Sequence, residues 1–280
     1  MSAGKNAPRL GDLGVRLASA LVMTGAAIAA LHLGGLVFLL FWLGVSAAVL
    51  WEWQHMIGGL HVRLRCLIGV AGLAVAANLA SEGAADWAIE ALLAAAAGLF
   101  AVADRGSRRW AALGVLYAGA LVIAMCILRY SQPQDYQRLA IYWLFAIVWG
   151  SDIMAYFGGR LIGGPKLWRR ISPSKTWSGT LTGVFSGAAL GLAVVAVSGV
   201  PVSAGSVLVL GLVLALASQA GDLAESAMKR RFGVKDSSTL IPGHGGFMDR
   251  LDGFIIASAL AALIGTFNID VLQAAYGLFR

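Results

Sequence analysis

Long apolar stretches separated by short polar connections run almost the whole length of the chain. Nine of them, at roughly 16–33, 36–55, 66–81, 86–103, 110–128, 139–159, 178–198, 205–224 and 251–270, approach the ~20 residues a helix needs to cross a bilayer. The pattern predicts an all-α, polytopic integral membrane protein with about nine transmembrane helices. The first stretch follows Lys5, Arg9 and Arg16 and ends in small residues, as a cleavable leader does. It is long enough to span, however, and eight more spans follow, so it is expected to stay as the first helix.

Composition agrees. Hydrophobic residues make up 59% of the 280 and charged residues 12%, about half of what a soluble domain carries. The 36 glycines suit close helix packing in lipid. Cys66 and Cys126 both fall in apolar runs and are expected to be buried thiols, with no disulfide framework or zinc site.

The cations sort by side. If the chain crosses nine times, Lys5, Arg9, Arg16, Arg63, Arg65, Arg105, Arg108, Arg109, Arg160, Lys166, Arg169, Arg170, Lys175, Lys229, Arg230, Arg231, Lys235 and Arg250 share one face. Only Arg129, Arg138 and Arg280 fall on the other. The positive-inside rule places the rich face, and the N-terminus, in the cytoplasm, and the C-terminus outside. The net charge of +7 is then a feature of topology, and no basic–aromatic nucleic-acid module accompanies it. Both long polar connections, 160–177 and 225–250, lie on the cytoplasmic side, so a shared substrate is cytosolic or sits in the inner leaflet of the cell (inner) membrane. The early spans carry few polar residues, so residues 1–135 read as scaffold and 136–280 as the catalytic region.

Four acids stand out in that region. Asp222 lies near the end of the eighth span, with Glu225 and Ser226 on the same helical face and Lys229 following Glu225 at i+4. Asp249 and Asp252 are spaced i, i+3 at the start of the ninth, where the helix dipole favours negative charge. A solvated helix end and simple capping would account for some of these. Carboxylates gathered from two helices, though, suit a hard divalent ion that also holds substrate phosphate. Asp222 and Asp249 are the expected metal ligands, with Asp252 beside them.

Pro242-Gly243-His244-Gly245-Gly246 offers a loop whose backbone N–H groups could cradle an anion. Ser174, Lys175 and Thr176 precede a new helix and suit a polyphosphate. Arg160, Arg169 and Arg170 read as charges that enforce topology. Ser151-Asp152 interrupts the sixth span and needs a partner, either a cation or the metal site. Glu52, between Trp51 and Trp53, reads as an interfacial anchor. There is no GxxxxGK[ST] loop, no dinucleotide fingerprint, no HExxH and no serine nucleophile elbow.

The run Ser226-Ala227-Met228-Lys229-Arg230, then Lys235-Asp236, then Pro242 through Asp252 resembles the signature of the phosphatidate cytidylyltransferase (CDP-diacylglycerol synthase) family. So do Gln219 through Ser226, Ser151-Asp152 through Arg160, and Ser172 through Trp177. The likeness covers roughly 150–255, centred on 218–252. One departure is Ser178-Gly179, where the family usually has Glu-Gly.

The resemblance implies that CTP and phosphatidate become CDP-diacylglycerol and pyrophosphate with Mg²⁺, in an all-helical and usually dimeric membrane fold. It implies metal at Asp222 and Asp249, with room for a second, monovalent cation. On this reading Asp222, Asp249, Asp252, Lys229 and Arg250 carry the chemistry. Ser174, Lys175, Thr176, Asp152, Lys235, His244, Gly245 and Gly246 bind substrate. Two other functions would use similar residues. One is a CTP-dependent kinase of a polyprenol-type lipid alcohol; the other is a transporter relaying ions through its acids.

Overall fold

A computed structural model describes residues 10–130 and 136–267. Lys5, Arg9, Arg280 and the end of the ninth predicted span lie outside the described residues. Among those described, the chain forms nine long helices: α1 (Leu10–Leu33), α2 (Gly35–Ile57), α3 (Val62–Ser81), α4 (Ala85–Val102), α5 (Arg108–Tyr130), α6 (Gln137–Leu161), α7 (Trp177–Ser198), α8 (Ala204–Arg231) and α9 (Met248–Phe267). Eight of them, α1 through α8, are long and apolar enough to cross a membrane. Their outward faces carry apolar side chains such as Leu21, Leu36, Leu67 and Val197, as a lipid-facing surface requires.

Two segments differ from the sequence reading. The eighth helix runs on to Arg231, because a helix can continue past the membrane as an amphipathic, basic turn. The connection expected to be a plain loop before α7 contains an antiparallel hairpin of β1 (Lys166–Trp168) and β2 (Ser172–Thr176), with Lys166 opposite Thr176 and Trp168 opposite Ser172. Cys126 is buried, whereas Cys66 is only half-buried; both are free.

Helix α5 is the most enclosed span, packed by α2, α3, α4 and α9. The catalytic half is assembled by glycine. Gly179, Gly183, Gly187 and Gly191 recur every four residues along α7 and present one bare stripe to α6. A Cβ at Gly183 would sit 2.6 Å from the Ser151 carbonyl, and one at Gly187 would sit 2.6 Å from that of Ile147. Without an attraction between apolar helices stronger than that of the lipid, such backbone proximity is what holds them together. The same device joins α8 to α9: a Cβ at Gly221 would lie 2.7 Å from the Asp252 carbonyl, and one at Gly253 would lie 2.8 Å from that of Ser218. Asp222 and Asp252 therefore start from backbones in near contact.

The polar connections meet at one end of the bundle. Buried Arg65 donates to Ser107 Oγ and to the Gly58 carbonyl. Arg231 lies over the Trp110 ring, and Ser19 Oγ donates to the Pro242 carbonyl. At the other end Tyr130 bonds the Gly35 carbonyl, and His32 meets Arg138 and Tyr142. The two-sided sorting of connections thus has a physical counterpart in the fold.

Replacing Gly183 with leucine should force α6 and α7 apart. Overpacking of this kind costs about 1–3 kcal/mol even where neighbours can adjust, and here the obstacle is backbone. The expected result is a sharply lower melting temperature, or loss of monodisperse protein in detergent. Val197→Leu, at a 91% exposed position, should melt like the unsubstituted chain.

Candidate active site

A cavity of about 860 Å³ opens among α1, α6, β2, α7, α8 and α9. It brings together Asp152, Ser174, Lys175, Thr176, Asp222, His244, Asp249, Arg250 and Asp252. Lys229, Lys235, Gly245 and Gly246 are not on its wall.

Its framework starts at the hairpin. Thr176 caps α7, its hydroxyl accepting from Gly179 N at 3.1 Å. Ser178 bonds the Gly163 carbonyl and Thr176 Oγ1. The residue that departs from the family pattern thus closes the base of the hairpin, away from the cavity. The cap fixes β2 so that Lys175 reaches α8. Its ammonium lies 2.5 Å from Asp222 Oδ2 and 3.2 Å from Gln219 Oε1. Gln219 in turn donates to Ser151 Oγ at 3.1 Å and to Asp152 Oδ1 at 3.3 Å, which answers the need of Asp152 for a partner. Ser226 Oγ donates to Asp222 Oδ1 at 3.4 Å. One polar chain thereby ties α6, β2 and α8 together.

A second network holds the start of α9. Asp249 accepts from Lys229 Nζ at 2.7 Å, Ser237 N at 2.8 Å and Gly246 N at 2.8 Å. Lys229 also pairs with Glu225 at 2.7 Å, the i, i+4 contact the sequence predicts. Glu52, fully buried, accepts from Phe247 N at 2.8 Å, Met248 N at 2.7 Å and Ser238 Oγ at 2.6 Å. The Ser237 hydroxyl stands 3.0 Å from Glu52 and 2.9 Å from Asp249, and its single proton serves one at a time.

This network corrects several expectations. Glu52 is no interfacial anchor: its carboxylate neutralises the open N–H groups at the beginning of α9. The glycine loop does form a nest, but the consecutive N–H groups of Gly246, Phe247 and Met248 point at protein carboxylates. They are not free for phosphate. Lys229 is a half-buried cross-link between α8 and α9, and Lys235 is exposed outside the cavity. Thr176 spends its hydroxyl on the α7 cap. Arg160, read as a topology charge, lines the cavity and donates to Tyr156 Oη at 2.7 Å.

On the opposite wall Ser19 Oγ meets His244 Nδ1 at 2.7 Å, and Arg250 Nε donates to the His244 carbonyl at 2.9 Å. Burial, the charge of Arg250 and the charge of Arg16 hold the His244 imidazole below the ordinary histidine range, so it is neutral at pH 7. Gly243 and Gly245 take positive φ of 76° and 86° to make this turn.

Among the described residues, no group of three or more His, Cys, Asp or Glu side chains is arranged to hold a metal ion unaided. Mg²⁺ needs less, since one or two carboxylates suffice when phosphate and water fill the rest. Asp222 fits that demand: its side chain is 30% exposed and faces the cavity beside a single cation, Lys175. Asp249 fits poorly, because its side chain is 4% exposed and its oxygens are already taken by donors.

These features define a class: a polytopic helical membrane protein with a polar cavity at one end, walled by carboxylates and cations for anionic substrates. Residues 14–267 match the model of the cytidylyltransferase family, and the chain belongs to that family. It is 39% identical over 273 residues to a phosphatidate cytidylyltransferase of Brucella abortus, covering 96% of this chain and 100% of the relative. It is 40% identical over 257 residues to one from Brucella suis, covering 91% and 94%. A Bacillus subtilis phosphatidate cytidylyltransferase is 35% identical over 146 residues, about half of each chain.

Glu52→Ala would strand the Phe247 and Met248 backbone donors and the Ser238 hydroxyl, while Ser237 keeps Asp249 as its acceptor. The expected loss is about 3 kcal/mol or more, seen as a large drop in melting temperature. Unchanged melting would show that Glu52 does not hold α9.

Proposed function

We propose that this chain transfers the cytidylyl group of CTP to phosphatidate, forming CDP-diacylglycerol and pyrophosphate at the cytoplasmic face of the membrane. The observation that carries the reading is the joining of Lys175, Arg250, Asp222, Asp252 and Asp152 around one cavity, in a chain similar along nearly its whole length to enzymes named for this reaction. The cationic end of the bundle supports the cytoplasmic assignment through the positive-inside rule.

The chemistry asks little of a base. A lipid phosphate oxygen, anionic near pH 7, attacks the α-phosphorus of CTP. A new P–O bond forms as the bond to the β-phosphate bridge breaks, and pyrophosphate leaves with the electron pair. The obstacle is repulsion between two anions, so catalysis lies in positioning and charge compensation. Lys175 and Arg250 supply fixed positive charge on two walls of the cavity, and Ser174 lines it beside Lys175. His244 orients Arg250 through its carbonyl. Asp222, with Asp252 or Asp152 beside it, would hold Mg²⁺. The ion supplies charge neutralisation to the triphosphate when bound.

Asp249 is assigned to fixing the first turn of α9, and with it the directions of Arg250 and Asp252. A metal on Asp249 would have to displace Lys229. The ammonium already supplies monovalent positive charge there. A homodimer in the bilayer belongs to this reading as well, and no nucleic acid does. The kinase and transporter alternatives are disfavoured by family membership. The acids also gather at one end and form no ladder across the bundle.

Purified protein given CTP, phosphatidate and Mg²⁺ should release pyrophosphate in step with CDP-lipid. Lipid labelled only from the γ-phosphate would reject the assignment. Asp222→Asn should lower kcat at least about a hundredfold, since several kcal/mol of charge stabilisation is lost. Near-normal turnover at saturating Mg²⁺ would remove Asp222 from that role. Lys175→Ala should raise the KM for CTP roughly tenfold or more, the worth of a charge-assisted hydrogen bond. An unchanged CTP dependence would reject it.

A further inference from the structure

Beside the polar cavity lies a second one of about 300 Å³, enclosed by α1, α2, α6 and α9. Apart from Thr24 and Arg250, every side chain on its wall is apolar. The two cavities share Met23, Thr24, Trp149 and Arg250, so Arg250 stands at the junction of a chamber with charged walls and an apolar one.

We propose that this annex holds the glycerol-proximal part of one acyl chain of the lipid phosphate, taken out of the bilayer and into the protein. The inference rests on the reading of the larger cavity as the site of phosphatidate and deepens it. Three observations carry it. The first is charge: a phosphate held at Arg250 has its own hydrocarbon within reach of the annex, whereas a water-soluble substrate has nothing to place there. The second is size. A methylene is comparable to a water molecule's share of liquid, ~30 Å³, so the annex accepts on the order of ten carbons, which is part of a chain and not a whole lipid.

The third observation is a stranded donor. Trp42 lines the annex and is 3% exposed, and its indole N–H has no acceptor among the described residues. Stacking on Phe254, at 5.6 Å between ring centroids, fixes the ring. An acyl ester carbonyl is an acceptor of the kind this donor lacks. Helix α1 forms one wall, packs mainly along α2, and exposes Leu17 and Leu21 outward. The annex is therefore covered by a lightly held helix.

The test uses the full chain in nanodiscs with a phosphatidate carrying a diazirine on carbon eight of one acyl chain. After photolysis, label should appear on Phe41 or Val45, inside the annex, and added unlabelled phosphatidate should remove it. Label found only on outward residues such as Leu36 and Leu40 would overturn the proposal. Ala27→Phe, which fills the annex, should raise the KM for phosphatidate about tenfold while the KM for CTP stays within twofold. If phosphatidate KM stays wild-type-like in a folded variant, the proposal fails. Crosslinking of the unsubstituted chain decides the matter if the variant does not fold. An unsubstituted chain with no cytidylyl transfer would instead strike at the larger reading.

Discussion

The start of α9 is held by two buried carboxylates, and the geometry of the site depends on them. Glu52 from α2 and Asp249 from α9 itself accept the N–H groups of Gly246, Phe247 and Met248. Lys229 offsets the charge of Asp249 from α8. A buried anion is tolerable only when it is paired and hydrogen-bonded, and the donors here come from a loop that would otherwise have no reason to fold back. The result is a fixed first turn, on which Arg250, Asp252 and Asp249 all border the cavity, while the Asp249 carboxylate is occupied by Lys229, Ser237 and Gly246. Three neighbouring charged residues in one sequence motif thus separate into a strut and two site residues.

Glycine provides the complementary constraint. Bare stripes let α6 approach α7, and α8 approach α9, to backbone contact. Asp152, Asp222 and Asp252 are brought together by helices that have no polar attraction of their own over most of their length. The polar links, Lys175 to Asp222 and Gln219 to Asp152, form only at the end of the bundle. Apolar close packing sets the distances, and the short polar chain sets the directions.

Much of the fold was legible from the sequence because the bilayer imposes a length and a hydropathy on every span. The nine helices follow from that constraint. The β1–β2 hairpin did not show, since three- and five-residue strands rich in Pro, Ser and Lys carry no useful alternation. Within the site, the i, i+4 pairing of Glu225 and Lys229 could be read directly. The partners of Asp249 and Glu52 could not. Glu52 sits 185 residues from Ser237, and its tryptophan neighbours suggest a membrane-interface role that its full burial rules out. Gln219 carried a usable signal, a lone amide in an apolar span one helical turn before Asp222. The glycine loop could be read as a possible nest, but only the fold shows that the N–H groups of Gly246, Phe247 and Met248 face Asp249 and Glu52.

The central claim is the division of labour between the α9 clamp and the open cavity wall. A structure of the chain with CTP and Mg²⁺ tests it most directly. The account predicts the triphosphate between Lys175 and Arg250 with the ion on Asp222, while Gly246, Phe247 and Met248 keep their bonds to Asp249 and Glu52. Phosphate seated on the Gly243–Gly246 loop, with Asp249 released from Lys229 and Glu52 displaced, would contradict it.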